Sequence, residues 1–247
     1  MTDPQSAASA AAVAAERLSL VEGSTRRLLD TVAELKPDAV AEPSALPGWT
    51  RGHVLAHLAR NADSLVNLLT GARTGTDIPQ YASEEAREQG IQDGAGRPLE
   101  EQLADLRESH ERFLAAVALM TDEDWAAEVR HRSGAVFPAC DLVWKRLGEL
   151  EYHLVDLDGG YSPAEWPEEF AVAEFHKLAL KLHGTDLPAV DLVAEDTGDR
   201  GLIGSGPVSL TVQGPVRALL AWLSGRSDGA DLKRIPDTAL PQLPPLG

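Results

Sequence analysis

A single cysteine, Cys140, stands in a chain of 247 residues. No disulfide can form within the chain, and the composition fits a reducing cytoplasm. Basic residues are also scarce: 22 Lys and Arg face 39 Asp and Glu, for a formal net charge of −17. Such a surface repels nucleic acid and anionic lipid, and no Lys/Arg stripe overrides the global sign. Neither nucleic acid nor a membrane is therefore expected as a partner, whereas a few arginines could still bind an anionic small molecule. Apolar runs are short, and none approaches the ~20 residues of a membrane span. The opening segment MTDPQSAASAAAVAAERLSL has no basic n-region and soon carries Glu16 and Arg17. It reads as a helical lead-in, not a signal peptide. No internal repeat stands out.

What is present is the balance of a folded globular protein, 43% apolar and 25% charged. Four long helical patterns fill the first two-thirds. The first runs over about residues 9–36, through Val13, Leu18, Leu28 and Val32, and stops at Pro37. The second follows ALPGWT with Thr50 as N-cap and keeps helical spacing to Gly71. A looser stretch with Gly and Pro then leads into a short acidic helix and has the texture of an active-site loop. The third and fourth patterns cover about 97–119 and 138–157. Together they predict an antiparallel four-helix bundle. The texture changes after DLDGGYSP. A helix over about 164–184, strands at DLVAED and PVSLTVQG, a helix in GPVRALLAWLSG and a Pro-rich surface tail follow. The expected class is thus α+β: a bundle over residues 1–160, then a small α+β domain over 161–247.

Chemistry is legible at two helix faces. Glu149 and His153 are four residues apart, so their side chains stack on one face of the fourth helix. His57 lies on the second helix, and bundles build metal sites from facing helices. Two imidazoles and a carboxylate form a three-ligand set for catalytic zinc, leaving a position for water or substrate. The same donors also suit nickel or iron. A closed structural site would need a fourth ligand, for which His53 is the candidate. On a helical wheel His57 falls about 80° from the centre of the apolar face of Val54, Leu58 and Leu65, and His53 about 120°. The choice therefore falls on His57, with His53 near the surface at the helix start. Asn61 lies closer to that apolar centre, where a buried amide needs a polar partner.

Blander readings stand beside these. A Glu-x-x-x-His pair also serves as an exposed ion pair, Arg87 as a solvated partner of its acidic neighbours, and Cys140 as a small buried residue at a helix start. His110, His131, His176 and His183 have no partner at ligand spacing and are read as surface or structural. Trp49 is a hydrophobic anchor, and Trp144 a core or pocket-wall residue.

At these residues the sequence resembles the mycothiol-dependent maleylpyruvate isomerases, whose N-terminal domain is a DinB-like four-helix bundle. The matching segments are LPGWTRGHVLAHLARNADSLVNL, IPQYASEEAREQ, LVWKRLGELEYHLVDL and VRALLAWLSGRSDG, in order over nearly the whole chain. The GWTR-x-H-x-x-x-H and E-x-x-x-H-x-x-D segments mark the wider thiol-dependent bundle superfamily. YxSxEAR and GRSDG are more particular to the isomerase branch. The resemblance implies zinc on His57, Glu149 and His153, Arg87 over the metal pocket, and Arg226 reaching it from the second domain. Asn61, Tyr81 and Trp144, which stand within the matching segments, are the candidates for contact with the thiol cofactor, mycothiol. The implied reaction turns maleylpyruvate, a dicarboxylate, into fumarylpyruvate, with a thiolate adding, allowing rotation and leaving. Two alternatives are a metal-dependent thiol S-transferase and a non-catalytic metal- or ligand-binding protein.

Overall fold

The computed structural model describes residues 4–245. Residues 1–3 and 246–247, the ends of the N-terminal lead-in and of the Pro-rich tail, lie outside the described residues. The fold is α+β, and it divides into two compact units, Met1–Gly160 and Tyr161–Gly247. No helix is long and apolar enough to cross a membrane among the described residues.

The first unit is built on four long helices: α1 (Pro4–Ala33), α2 (Arg51–Thr74), α4 (Leu99–Val117) and α6 (Asp141–Asp156). Shorter elements, α3 (Glu84–Ala95), α5 (Asp122–Ala126) and the two-stranded hairpin β1 (Glu128–Arg130) and β2 (Val136–Pro138), fill the connections. In α1 the buried residues Ala7, Ala14, Val21 and Leu28 recur every seven positions, the spacing that keeps one stripe against a partner helix. The stripe begins with alanines and ends with larger side chains. Helix α2 is buried on most sides, through Val54, Leu55, Leu58, Leu65, Leu68 and Leu69. It runs past the expected end at Gly71 and stops at Gly75, whose φ of 64° suits glycine and whose N–H bonds the Gly71 carbonyl.

Ion pairs give the helix directions. Arg17 meets Asp141 at 2.9 Å and Arg27 meets Glu151 at 2.8 Å, so α1 and α6 run parallel. Arg60 meets Asp105 at 2.6 Å and Asp63 meets Arg112 at 2.8 Å, so α2 and α4 run parallel as well. The two pairs oppose each other, because Asn61 on α2 meets Arg146 on α6 while His57 meets Glu149. Consecutive parallel neighbours need a long crossover, which the stretch through α3 supplies between α2 and α4, while the stretch through α5 and the hairpin turns the chain back from α4 into the opposed α6. The crossover after α3 is packed tightly on α2: a Cβ at Gly52 would stand 2.1 Å from the Ala95 carbonyl oxygen.

The second unit has α7 (Glu168–Leu182), β3 (His183–Ala194), β4 (Arg200–Gly214), α8 (Val216–Leu223) and β5 (Lys233–Ile235). The sheet order is β3-β4-β5. β4 is bent so that β3 pairs with both its halves: antiparallel from Val190↔Ile203 to Val193↔Arg200, and parallel from Val190↔Leu210 to Ala194↔Gly214. The bend falls at Gly204, where φ is 71° and a Cβ would meet the Pro188 carbonyl oxygen at 2.2 Å; only glycine fits there. Trp166, Phe170, Phe175, Val190, Leu192 and Val212 form this unit's core.

Candidate metal centre

The site is assembled by a capped helix start that clasps a helix end. Thr50 caps α2 through its side chain, which accepts from the His53 N–H at 3.4 Å, and His53 Nδ1 accepts from the Thr50 N–H at 3.2 Å. The Trp49 ring lies 6.0 Å from the His53 ring and 5.6 Å from the His57 ring. Arg51 reaches across and donates Nε to the Leu157 carbonyl at 2.9 Å and Nη2 to the Asp158 carbonyl at 2.8 Å. These are carbonyls that the end of α6 leaves without helical partners. From that clasp, six residues along α2 lead to His57, and four and eight residues back along α6 lead to His153 and Glu149. At 1.5 Å per residue His57 rises to a level between the other two.

There the three side chains converge. His57 Nε2 lies 2.8 Å from Glu149 Oε2, and His153 Nε2 lies 3.4 Å from the same oxygen. The two imidazole rings are 4.7 Å apart and nearly perpendicular, at 85°. One potential ligand atom from each residue falls within 4.8 Å of the others. The His57 and His153 side chains keep 7% and 16% of their surface open, whereas Glu149 keeps 34%, so solvent reaches the cluster from the carboxylate side. Asp156 Oδ2, one turn further on, bonds His153 Nδ1 at 2.8 Å. This fixes the orientation of the ring, with Nε2 facing Glu149.

Protonation is shaped accordingly. Burial lowers the His57 pKa, against the pull of Glu149, and keeps the ring neutral. Burial would raise Glu149, but hydrogen bonds from His153 and His57 outweigh it and hold the carboxylate well below its ordinary range. For His153, burial lowers the pKa, yet Asp156 and Glu149 raise it overall. A neutral imidazole and an ionised carboxylate are the states that ligate a metal. His57 Nδ1 is buried with no partner. The donor set and its orienting carboxylate fit a divalent metal with a position left open.

The other candidate residues of this unit fall partly beside the cluster and partly away from it. Ser83 caps α3, accepting from the Ala86 N–H at 3.1 Å, and Arg87 follows in the first turn. Its guanidinium lies 5.9 Å from the centre of the Tyr81 ring, and its charge contributes to lowering the His57 pKa. Arg87 and Tyr81 line a cleft of about 220 Å³ with Ser64, Asn67 and Gln80. Burial raises the Tyr81 phenol, and Ser64 and Arg87 beside it pull the other way. Asn61 is buried and bonds Arg146. Trp144 lies under the Arg17 guanidinium, 5.2 Å away, on the side of α6 that meets α1, about 140° around the helix from Glu149. A second cleft of about 350 Å³, between the end of α2 and β1, holds none of the cluster residues. Cys140 is buried at the start of α6, and burial, with Asp141 beside it, raises its pKa. In the second unit, Arg226 follows Gly225, whose φ is 75°. Its backbone N–H bonds the Ala221 carbonyl at 2.8 Å, and its Nη1 bonds the Ser224 carbonyl at 3.1 Å.

Sequence reasoning assigned no role to two residues of this neighbourhood. Asp156 was signalled by its three-residue spacing from His153. Arg146 was signalled by lying three residues before Glu149 and seven before His153, on the ligand face of α6.

The fold and the cluster define a class: a helical bundle with a two-histidine, one-carboxylate centre followed by an α+β unit. Residues 21–158 match the mycothiol maleylpyruvate isomerase N-terminal domain, and residues 163–245 match the MDMPI C-terminal domain. The chain belongs to the mycothiol maleylpyruvate isomerase family. It is similar to a crystal structure of a mycothiol-dependent maleylpyruvate isomerase, with 26% identity and a TM-score of 0.85 over 94% of this chain and 97% of that one. A variant of that enzyme with one histidine replaced by alanine matches at 26% identity and a TM-score of 0.84, with the same coverage. No curated protein matches the chain significantly.

Proposed function

We propose that this chain is a thiol-dependent cis–trans isomerase that converts maleylpyruvate to fumarylpyruvate, with mycothiol as the thiol and a divalent metal, zinc, on His57, Glu149 and His153. The observation that carries the reading is the convergence of those three side chains on one partly open point. Support also comes from the family match over both units and from the relative's stated activity.

The double bond of the substrate cannot rotate until a nucleophile has added to it. His57, Glu149 and His153 would hold the metal, which would supply a deprotonated thiol sulfur, a nucleophile suited to reversible addition to that double bond. The chain's own residues prepare this. His57 stays neutral because it is buried, Glu149 stays ionised because two imidazoles bond it, and Asp156 orients the His153 ring. Arg87 supplies a fixed cation beside the cluster for a substrate carboxylate or for charge developing on the adjacent oxygen. Arg226 is assigned the second carboxylate, since one guanidinium clamps only one carboxylate well. Cys140, buried and with a raised pKa, takes no part.

The test is an ultraviolet assay of maleylpyruvate turnover by the metal-loaded protein with mycothiol, with glutathione and with no thiol. Turnover with mycothiol and none without a thiol is the expected result. A product that retains the thiol would instead make the protein an S-transferase, and no reaction in any arm would overturn the enzymatic reading.

A further inference from the structure

Helix α6 carries a third polar residue on its ligand face. Arg146 is 1% exposed, and no carboxylate among the described residues lies within ion-pair distance of it. Its Nη1 donates to the Leu58 carbonyl at 2.8 Å and to Asn61 Oδ1 at 2.9 Å, while its buried Nε has no partner. Burial lowers its pKa to about 10, which leaves it charged at neutral pH. A buried guanidinium with no contact ion pair, its charge offset only at longer range by Glu149 and Asp63, is a costly way to fill space, and an aliphatic side chain of similar volume would fill it more favourably.

What the guanidinium does is fix an amide. Arginine only donates hydrogen bonds, so Asn61 must present Oδ1 to Arg146 and turn Nδ2 the other way. That Nδ2 has no protein partner among the described residues. A hydrogen bond accepted at Oδ1 from a cation also makes the opposite N–H a stronger donor. Asn61 is four residues beyond His57 on α2, so the two side chains share a face, about 6 Å apart along the axis. The Asn61 N–H is therefore a directed donor one helical turn from the metal-type cluster.

We propose that Arg146 is a positioning residue for the thiol: it pins the Asn61 amide so that Nδ2 takes an oxygen acceptor of a thiol whose sulfur is held at the cluster. This rests on the reading of the cluster as a thiol-binding metal centre. A cysteine-derived thiol carries amide or acyl oxygens within a few bonds of its sulfur, a reach that matches one helical turn. A neutral donor suits such an oxygen, while the carboxylates of the substrate have Arg87 and Arg226 as their assigned cations.

The experiment uses full-length, metal-loaded wild type, Arg146→Met and Asn61→Asp. Mycothiol binding is measured by calorimetry, together with metal content, thermal unfolding and the KM for each substrate. Arg146→Met should keep its metal, weaken mycothiol binding about tenfold and raise the KM for mycothiol but not that for maleylpyruvate. Asn61→Asp should form an ion pair with Arg146 and unfold no earlier than wild type, yet lose the donor and bind mycothiol about tenfold more weakly. Should Arg146→Met fail to fold, Asn61→Asp decides. Wild-type mycothiol affinity in Asn61→Asp would reduce the pair to a structural one and overturn the proposal. Mycothiol binding that depends on both residues, in a protein that does not isomerise maleylpyruvate, would leave this inference standing and remove the isomerase reading. Wild type that isomerises maleylpyruvate alongside variants of unchanged thiol affinity would do the reverse. No mycothiol binding by wild type would overturn both.

Discussion

Arg51 donates its Nε to the Leu157 carbonyl at 2.9 Å, tying the first residue of α2 to the residue that ends α6. The clasp sets the register in which the two helices pass, and with it the level at which His57 meets Glu149 and His153. Replacing Arg51 with methionine keeps much of the aliphatic stem but leaves two helix-end carbonyls unpaired. The variant should lose roughly 2 kcal/mol of stability and bind metal more weakly than wild type. Chemical denaturation and metal titration would check this, and unchanged values in both would mean that packing alone sets the register.

Wild type should hold one divalent metal per chain, and His153→Ala should lose it. Asp156→Asn should keep the ligands but weaken metal binding about ten- to a hundredfold, because His153 loses the group that orients it. His53→Ala should retain the metal. Elemental analysis after dialysis against a weak chelator reads all four proteins. Equal metal content in wild type and His153→Ala would remove the cluster from consideration.

Arg87→Ala and Arg226→Ala should each retain metal yet lose turnover, by about a hundredfold or more for Arg87. Steady-state kinetics with maleylpyruvate and mycothiol measure it. Wild-type rates in the first would return Arg87 to the role of a charged residue on an acidic helix, and in the second would confine the chemistry to the first unit.

Cys140→Ser should turn over maleylpyruvate with added mycothiol at the wild-type rate, because the sulfur is buried and its pKa is raised. Activity in wild type without any thiol, lost in the serine variant, would instead make Cys140 the nucleophile.

His110 lies apart from the cluster, and burial together with the nearby Arg146 charge lowers its pKa to about 4. The folded state therefore stays unprotonated while the unfolded chain takes up a proton below about pH 6.5. Stability should fall as pH drops from about 6.5 toward 4 and level off in this contribution below that. His110→Gln should flatten that part of the profile. A His110 ring that titrates near 6.5 by NMR would refute the expectation.

The long helices were legible because Val, Leu and Ala recur at helical spacing over many turns, and the facing of His57 over His53 followed from the same wheel. The helix directions were not, since periodicity says nothing of whether neighbours run parallel. The hairpin escaped notice because EVR and VFP are three residues each, too short to alternate. RGLIGSG did not read as strand because its glycines suggest a turn, and in fact Gly204 and Gly206 take positive φ at the bend of β4. The need of Asn61 for a partner was visible, but not that the partner was Arg146. An arginine among Lys145, Glu149 and Glu151 looks like part of a solvated face until the neighbouring helix is packed on it.

The contacts that join α6 to α1 and α2 link residues far apart along the chain. His57 and Glu149 are 92 positions apart, Arg51 and Leu157 are 106, and Arg27 and Glu151 are 124. Such long loops make closure slow compared with local helix formation. As the chain emerges from the ribosome, α1, α2 and α4 are complete while the seam for Leu142, Val143, Leu147, Leu150 and Leu154 still stands open to water. The cluster is therefore expected to be among the last features of this unit to form. Partly synthesised chains ending before residue 141 would expose that seam, and they are the species of this protein most prone to aggregate.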